Sequence, residues 1–430
     1  MSRLEVRVFR TEGLGDSTYL LTFDGLAALV DPQRDFERFL DDLGGADLRW
    51  VLETHVHNDY VSGGLAVSKA TGAELVFPAA AAPVFRHTPA FHGEELVEGG
   101  LTIRPLHTPG HTPEHTSYLV LVDGRPQAVF TGGSLLVGSA GRSDLLGMPR
   151  AETLARLQFG SVRRLSRLPD ETELFPTHGA GSFCTASRAG ATTSTIGQEK
   201  RSNPVLAITD EDDFVATHLS GLQPYPTYYA RMAPLNLQGG PALEPRRLPN
   251  VEYDDVPEGA TLVDLRPADR HARGHYPGSV NIPLSDQFGT WFGWLIPPDS
   301  EVYLVADDEK QVAEAQLQLG RIGIDELAGV LAGDGEGASE TNQVATAKEV
   351  PTDGQVLDVR APDERDLLAP EGTVHRYLPD LTGDPIEMDP SRPVWLVCAG
   401  GYRSAIAASL LRRRGFDAIP VIEGGVADLR

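Results

Sequence analysis

The chain has 430 residues, of which 41% are hydrophobic and 23% charged, and its formal net charge is −24. A chain of this length and composition is expected to form several globular domains with sizeable cores. The large negative charge argues against nucleic acid, an anionic membrane surface or a polyanionic substrate as the main partner.

The cysteine content points to a reducing compartment. Cys184 and Cys398 are the only cysteines and lie far apart in the sequence, so a disulfide framework is not expected. The first residues lack an apolar signal core, and no segment reaches the ~20 apolar residues of a membrane span. We therefore expect a soluble, cytoplasmic protein with no membrane partner.

The first part of the chain alternates short apolar runs with polar and amphipathic stretches, which predicts strands interleaved with helices. Strands are predicted at residues 6–9, 18–23, 27–30, 50–54, 101–107, 116–122, 127–130 and 174–177. Helices are predicted at 34–43 and 151–168. The Pro- and Gly-rich segment 221–257 is predicted to be a tail and linker.

Histidines follow several of these predicted strands. His55 and His57 lie two residues apart at a strand end and can point into one cleft, with Asp59 following them. His111 and His178 occur later, each in or beside a predicted strand connection. Because neutral imidazole is a good ligand for zinc and iron, the pattern predicts a metal site. Cys184 follows His178 closely, so it lies either near the cleft or packed in the interior. The packed thiol is the preferred prediction, since free cysteines are usually buried.

The rest of the chain contains an internal repeat. The apolar run 262–266 matches 356–360, and 302–305 matches 394–397, with similar spacing in each pair. This predicts two α/β units of roughly 85 residues each. The segment 331–350, rich in small and acidic residues, is the predicted linker between them.

The second repeat carries the clearest chemical motif. Cys398 follows the predicted strand 394–397 and precedes a predicted helix, with glycines in the turn between them. Such a turn surrounds a sulfur with backbone N–H groups at a helix N-terminus, which stabilises anions and favours the nucleophilic thiolate. Arg403 adds a permanent positive charge. The predicted loop residues around the sulfur are Ala399, Gly400, Gly401, Tyr402 and Ser404.

The first repeat lacks this chemistry. Ala306 occupies the position that aligns with Cys398, and Asp307, Asp308 and Glu309 follow it. No nucleophile is present there, and three acids would repel an anionic persulfide. This unit is predicted to keep the fold without the reaction.

The loop 398–404 resembles the active-site loop of rhodanese sulfurtransferases, and the segment 273–283 resembles a signature of the same family. The resemblance implies two rhodanese-like α/β domains with parallel sheets, at 246–335 and 345–430, of which only the second is active. Related cysteine phosphatases have a loop one residue longer, so the shorter loop implies a sulfur held as a Cys398 persulfide. The implied substrates are thiosulfate or sulfite and small thiol persulfides.

The order and spacing of the histidine motifs resemble the metallo-β-lactamase fold, specifically its persulfide dioxygenase and glyoxalase II branch. The resemblance implies an αββα sandwich over residues 1–245, one Fe(II) per chain and a homodimer. Two positions depart from the pattern: Tyr60 stands for a histidine of the second metal, and Gly133 stands for the aspartate ligand. Carried over, the iron-binding histidines are His55 and His111.

Three interpretations of this pocket remain open. In the first, His55, His57 and His111 bind one iron or zinc ion through three imidazoles. In the second, a different carboxylate, Asp59 or Asp144, completes the site. In the third, the pocket holds no metal. His178 and Asp59 are expected to be hydrogen-bonding pocket residues.

The resemblance implies an enzyme that oxidises low-molecular-weight thiol persulfides to sulfite and transfers sulfur through Cys398. One alternative is a metal-free N-terminal scaffold, which leaves only the sulfurtransferase activity. Another is a zinc thioester hydrolase of the glyoxalase II type, disfavoured because the missing ligands are those of its second metal.

Overall fold

The computed structural model describes residues 3–185, 191–244, 246–383 and 386–429. These residues form two compact units, one of residues 1–243 with 320–323 and the other of 244–319 with 324–430. Within the described part of the chain, no helix combines the length and apolarity needed to cross a bilayer.

The first unit contains two six-stranded sheets and a two-stranded one. Its strands are β1 (Glu5–Thr11), β2 (Asp16–Phe23), β3 (Leu26–Val30), β4 (Asp47–Leu52), β5 (Glu74–Pro78), β6 (Thr88–Ala90), β7 (Leu96–Glu98), β8 (Leu101–His107), β9 (Thr116–Val122), β10 (Arg125–Gly132), β11 (Leu135–Leu136), β12 (Ser139–Ala140), β13 (Glu173–Pro176) and β14 (Ser194–Thr195). Its helices are α1 (Glu37–Leu40), α2 (Gly64–Thr71), α3 (Met148–Leu165), α4 (Ile196–Ser202), α5 (Pro204–Ala207), α6 (Glu211–Ser220) and α7 (Tyr229–Gln238). The large sheets have the orders β1-β2-β3-β4-β5-β6 and β14-β13-β10-β9-β8-β7.

Alternation of side chains along the strands makes these sheets the middle layers of a sandwich. One buried cluster contains residues of both sheets, including Tyr19 and Trp50 from the first and Tyr118 and Phe130 from the second. The alternate residues of each sheet pack outward against helices, α1 and α2 on one side and α3 and α6 on the other. The result is the αββα arrangement that the resemblance implied.

Two predicted segments differ from the structure. The helix expected at 34–43 is limited to Glu37–Leu40, and Gln33, which precedes the expected helix, forms an antiparallel backbone bridge with Ser62. The expected tail 221–257 contains the helix Tyr229–Gln238, which includes Pro234. Proline disfavours a helix interior and so conceals such a helix in the sequence.

The second unit contains two parallel sheets, as expected for the repeat. Its strands are β15 (Thr261–Asp264), β16 (Val280–Asn281), β17 (Val302–Ala306), β18 (Gly329–Ala332), β19 (Ala345–Thr346), β20 (Gln355–Asp358), β21 (Thr373–His375), β22 (Val394–Val397) and β23 (Ala418–Glu423). The remaining helices are α8 (Ala268–Arg273), α9 (Phe288–Leu295), α10 (Glu309–Arg321), α11 (Pro362–Leu367) and α12 (Tyr402–Arg412). The sheet orders are β16-β15-β17-β18 and β19-β23-β22-β20-β21, with every pair parallel.

The two halves of this unit repeat the same buried ion pair. Arg266 binds Asp264 at the end of β15, with Nη2 2.6 Å from Oδ2, and Arg360 binds Asp358 at the end of β20 at 2.7 Å. The internal repeat predicted from the sequence is therefore present in side-chain contacts as well as in topology.

Candidate metal pocket and cysteine loop

Five buried histidines meet at one end of the sandwich. They come from the ends of β4 and β13 and from the connection between β8 and β9. They are His55, His57, His111, His115 and His178. The ring centroid of His55 lies 4.1 Å from that of His57, 4.9 Å from His111 and 5.2 Å from His178. The structure thus brings together all the histidines that the sequence singled out.

The tautomer of His55 follows from its neighbour Thr54. The Thr54 hydroxyl donates to Oδ2 of Asp31 at 2.7 Å and lies 2.8 Å from Nδ1 of His55. A hydroxyl has one hydrogen and a carboxylate only accepts, so Nδ1 of His55 carries a proton. Burial, together with the neighbouring imidazoles, lowers the pKa of His55. Its Nε2 is therefore a bare lone pair facing the cluster.

Two carboxylates hold the imidazole of His57 through its Nε2 atom. Its Nε2 lies 3.3 Å from Oδ1 of Asp31 and 3.2 Å from Oε2 of Glu53. Burial alone would lower the pKa of His57, but these two carboxylates outweigh it and raise the pKa well above 6.5. Nδ1 of His57 has no hydrogen-bond partner among the described residues.

His111 has the clearest free lone pair. Its Nδ1 donates to the carbonyl oxygen of Arg142 at 2.8 Å, which leaves Nε2 unprotonated. Burial, reinforced by His178, lowers the pKa of His111 to about 3. Nε2 has no partner within the described ranges.

His178 belongs to a carboxylate network. Its Nδ1 lies 2.8 Å from Oδ1 of Asp16 and 3.2 Å from Oδ2 of Asp59, and its Nε2 lies 3.2 Å from Nε2 of His55. Burial on its own lowers the pKa of His178, but Asp59 and Asp16 outweigh it and raise the pKa to about 9. Burial and the neighbouring Asp59 raise the pKa of Asp16 to about 7.

The space beside Gly133 explains why no carboxylate is present there. A Cβ atom at residue 133 would lie 2.1 Å from Cδ2 of His111. The Gly133 N–H donates to Nε2 of His115 at 2.9 Å, so that imidazole supports the loop. The ring of His111 therefore occupies the volume that an aspartate side chain would need.

The other predicted pocket residues have definite partners. Tyr60 stacks on His57 with ring centroids 4.3 Å apart, and its hydroxyl lies 3.0 Å from Nε2 of that histidine. Both oxygens of Asp144 accept from the Arg142 guanidinium, at 2.6 and 2.8 Å. Oδ2 of Asp59 lies within hydrogen-bonding distance of other pocket residues, whereas its Oδ1 has no partner among the described residues.

Cys184 lies in the same pocket, which is the less favoured of the two positions expected from the sequence. It is fully buried, as predicted, and its Sγ donates to Oδ2 of Asp59 at 3.3 Å. Burial, together with Asp59, raises the pKa of its thiol well above the ordinary value. The short distance in sequence from His178 was the only indication of this position, because the connection that Cys184 follows has no regular pattern.

Three possible donor sets among the described residues contain His178, and one of them joins it to Asp16 and Asp59. Donor atoms of His55, His57 and His178 lie within 4.8 Å of one another, and so do those of His111, His178 and Cys184. Nδ1 of His57 and Nε2 of His111 have no hydrogen-bond partner among the described residues, and each ring is held through its other nitrogen. Imidazoles oriented in this way are typical of a metal-binding pocket. The residues present therefore fit a divalent metal ion.

The second candidate site is the loop after β22. Gly401 N–H donates to Sγ of Cys398 at 3.1 Å, and Sγ lies 3.7 Å from Oγ of Ser404. Gly401 has φ +95°, and a Cβ there would lie 2.5 Å from the carbonyl oxygen of Ile422. Only glycine fits this turn, and the α12 N-terminus follows directly. Ala399 and Gly400 form an exposed rim over the buried sulfur.

Arg403 does not act alone. Its Nη1 and Nη2 both donate to the carboxylate of Glu364, the latter at 2.8 Å. Burial alone would raise the pKa of Glu364, but the hydrogen bond and charge of Arg403 outweigh it and lower the pKa. Glu364 lies in α11 and was not singled out in the sequence, because its pairing with residue 403 depends on the fold.

Tyr402 of the Cys398 loop contacts the first half of the second unit, the half that has no cysteine. The Tyr402 hydroxyl donates to the carbonyl oxygen of Pro283 at 2.9 Å. In that half, β17 ends at Ala306, and Asp307 accepts from Arg270 at 3.0 Å. The structure thus places an alanine and acidic residues where the other half has a cysteine and glycines.

Comparison with known proteins gives the families of the two parts of the chain. Residues 12–178 match the metallo-β-lactamase superfamily, and residues 251–340 and 343–430 each match the rhodanese-like domain. A probable metallo-hydrolase of Burkholderia pseudomallei (strain 1710b) is 31% identical over 241 residues, which are 49% of this chain and 77% of that protein.

Two solved structures are also similar. A metallo-β-lactamase from Staphylococcus aureus subsp. aureus COL has a TM-score of 0.71 and 28% identity, and the match covers 76% of this chain and 99% of that one. ETHE1 from Myxococcus xanthus has a TM-score of 0.47 and 31% identity, and the match covers 56% of this chain and all of that one. The chain belongs to the metallo-β-lactamase superfamily, and two rhodanese-like domains follow its metallo-β-lactamase domain.

Proposed function

We propose that this protein is a sulfur-metabolism enzyme that carries sulfane sulfur on Cys398 and oxidises thiol persulfides in its N-terminal domain. The observation that carries the proposal is the Cys398 loop. Its sulfur receives the Gly401 N–H at 3.1 Å under an exposed rim at the start of α12. An anionic sulfur is stabilised by such a geometry.

The sulfur-transfer step needs no cofactor. The Cys398 thiolate attacks the outer sulfur of thiosulfate, the S–S bond of thiosulfate breaks with its electron pair, and sulfite leaves. A Cys398 persulfide remains. Attack by sulfite, a thiolate or cyanide on its outer sulfur forms the product and restores the thiolate. The Gly401 N–H is positioned to bind the anionic sulfur, and the Arg403–Glu364 pair holds the loop.

The N-terminal pocket is proposed to hold one Fe(II) through His55, His57 and His111. A metallo-β-lactamase domain implies a divalent metal, and bound iron would supply activation of oxygen and of the sulfur substrate. The carbonyl of Arg142 holds the ring of His111, while Asp31 and Glu53 hold His57. In this proposal one persulfide, one oxygen molecule and one water yield one thiol and one sulfite.

The two reactions are chemically coupled. Sulfite produced in the first accepts the sulfur held on Cys398, which gives thiosulfate. The proposed partners are small thiol persulfides, sulfite and thiosulfate, in a cytoplasmic homodimer.

The sulfurtransferase part is tested by thiosulfate:cyanide sulfur transfer. We expect the activity of Cys398→Ser to fall to background, while Ser391→Ala, a substitution of an exposed serine, keeps the wild-type rate. Equal rates in the wild type and Cys398→Ser would remove Cys398 from the mechanism.

Gly133 favours a second candidate function, in which the N-terminal domain is a metal-free scaffold. Elemental analysis after anaerobic loading with Fe(II) decides between the two. About one iron per chain rejects the scaffold, because a specific site binds stoichiometrically. No retained iron rejects the dioxygenase and leaves the sulfurtransferase.

A further inference from the structure

The buried lone pair of His111 is available to a cation or to a hydrogen-bond donor. Its Nδ1–H is committed to the Arg142 carbonyl, so Nε2 cannot donate, and the described residues offer it no donor. Leaving a buried polar atom without a partner is unfavourable. A cation bound at Nε2 would remove that cost.

Arg142 positions a sulfur beside the same nitrogen. Its backbone N–H donates to the Cys184 carbonyl at 2.9 Å, while its own carbonyl accepts from Nδ1 of His111. Gly141 and Thr185 form a backbone bridge next to this contact. Residues 141–142 therefore hold the ring of His111 through a backbone carbonyl and the backbone at Cys184 through an N–H.

The negative charge beside a bound ion can come from a carboxylate or from a thiolate. Gly133 has no side chain, and both oxygens of Asp144 are bound by Arg142. Oδ2 of Asp59 is shared between His178 and Cys184, and only its Oδ1 has no partner among the described residues. A thiolate supplies that charge and is a ligand for zinc and iron alike. The donor atoms of Cys184, His111 and His178 lie within 4.8 Å of one another.

We infer that Cys184 is the anionic ligand of the metal centre and binds a divalent transition-metal ion together with His111 and His178. The inference rests on the proposed function only for the presence of a metal in this pocket. Its ligand set differs from the proposed one, since Cys184 and His178 take the places of His55 and His57. On binding, the S–H bond of Cys184 is replaced by a metal–sulfur bond and the proton is released. Oδ2 of Asp59, 3.3 Å from Sγ, is the nearest acceptor for it.

His178 is suited to this ligand set. Asp16 and Asp59 hold its Nδ1, which leaves Nε2 for the metal in the carboxylate–histidine–metal arrangement common in such sites. The proton on Nε2, now directed at His55, is released when the ion binds. Three protein ligands leave an open position for a sulfur substrate.

The test uses Co(II) as the probe and Cys398→Ser as the parent protein. The chain has two cysteines, so any thiolate-to-cobalt charge-transfer band in this variant must come from Cys184. We expect one bound Co(II) and a strong near-ultraviolet band. In Cys184→Ser/Cys398→Ser we expect the band to be lost and Co(II) to bind at least about tenfold more weakly, since losing second-shell partners alone costs 10–100-fold.

The possible results separate this inference from the proposed function. Stoichiometric cobalt without the band would overturn the sulfur ligand and leave the metal pocket intact. No bound cobalt would overturn both the ligand and the metal-dependent reaction. A band that persists in the double variant would also exclude Cys184. If the double variant does not fold, X-ray absorption of zinc-loaded Cys398→Ser decides, with one Zn–S distance of about 2.3 Å expected and its absence contradicting the inference.

Discussion

The imidazole of His111 lies in the space that a side chain on Gly133 would need, since a Cβ there would be 2.1 Å from Cδ2 of the ring. The ring is held in place by the Arg142 carbonyl. A side chain at residue 133 and the observed position of the His111 ring therefore exclude each other.

Gly133→Asp tests this relationship. We expect the substitution to lower the free energy of unfolding by about 1–3 kcal/mol, the usual effect of overpacking a buried site. Gly133→Ala should cause most of the same loss, because Cβ alone makes the contact. The measurement is thermal or urea unfolding.

Gly160→Asp and Gly160→Ala are the matched controls. Gly160 is exposed in α3, and an added Cβ would meet nothing within 4 Å. These variants should be no less stable than the wild type, because glycine in a helix interior is less favourable than alanine by about 0.5–1 kcal/mol. Unchanged stability of the Gly133 variants would show that His111 moves freely.

The charged state of His178 makes the metal-free protein sensitive to pH. Its pKa is raised from 6.5 to about 9, so its stabilising effect is complete below pH 6.5 and is lost as pH rises through about 9. We expect the free energy of unfolding of chelator-treated protein to fall across this window, by at most about 3 kcal/mol from this group. His178→Gln should remove that part of the slope. An identical slope in the variant would show that the proton is not held by Asp16 and Asp59.

The ion pair of Arg403 with Glu364 is expected to matter more than the charge of Arg403 alone. Charge-assisted hydrogen bonds contribute about 1.5–3 kcal/mol, and 1.36 kcal/mol is a tenfold change in rate. Glu364→Gln should therefore lower kcat/KM for thiosulfate about tenfold. Arg403→Lys keeps the charge but not the two-pronged geometry, and should show a similar loss. Full activity of Arg403→Lys would assign the effect to charge.

Moving the cysteine to the other half should not move the activity. In Cys398→Ser/Ala306→Cys, the new thiol at the end of β17 meets Asp307 and Asp308 instead of a glycine turn. We expect no sulfur transfer, because the carboxylates repel an anionic sulfur. Activity in this double variant would mean that the strand end alone suffices.

The sequence predicted the parts of this molecule that depend on local pattern. Strands such as Leu101–His107 and Thr116–Val122 have the predicted bounds, because alternation or continuous apolarity reports burial directly. The repeat was visible because each half carries the same strand and the same Asp–Arg pair. Cys398 was visible because its nucleophile, turn and helix start are consecutive in the chain.

The sequence did not reveal the side-chain pairs that join residues far apart in the chain. Cys184 and His111 lie in separate connections, and their donor atoms come within 4.8 Å of each other only in the folded chain. Arg403 and Glu364 lie in two different helices and pair through hydrogen bonds. The helix Tyr229–Gln238 was missed because Pro234 and its neighbours suggest a linker. No periodicity within a segment contains this information, since it arises only when the sheets are assembled.

The central claim is that sulfur is carried on Cys398. Mass spectrometry of the whole protein and its peptides, after incubation with thiosulfate and removal of free reagent, tests it most directly. We predict a gain of one sulfur atom on the peptide that contains residue 398, its loss on addition of cyanide, and no gain in Cys398→Ser. An unmodified Cys398 peptide, or a sulfur adduct found on Cys184 instead, would contradict the account.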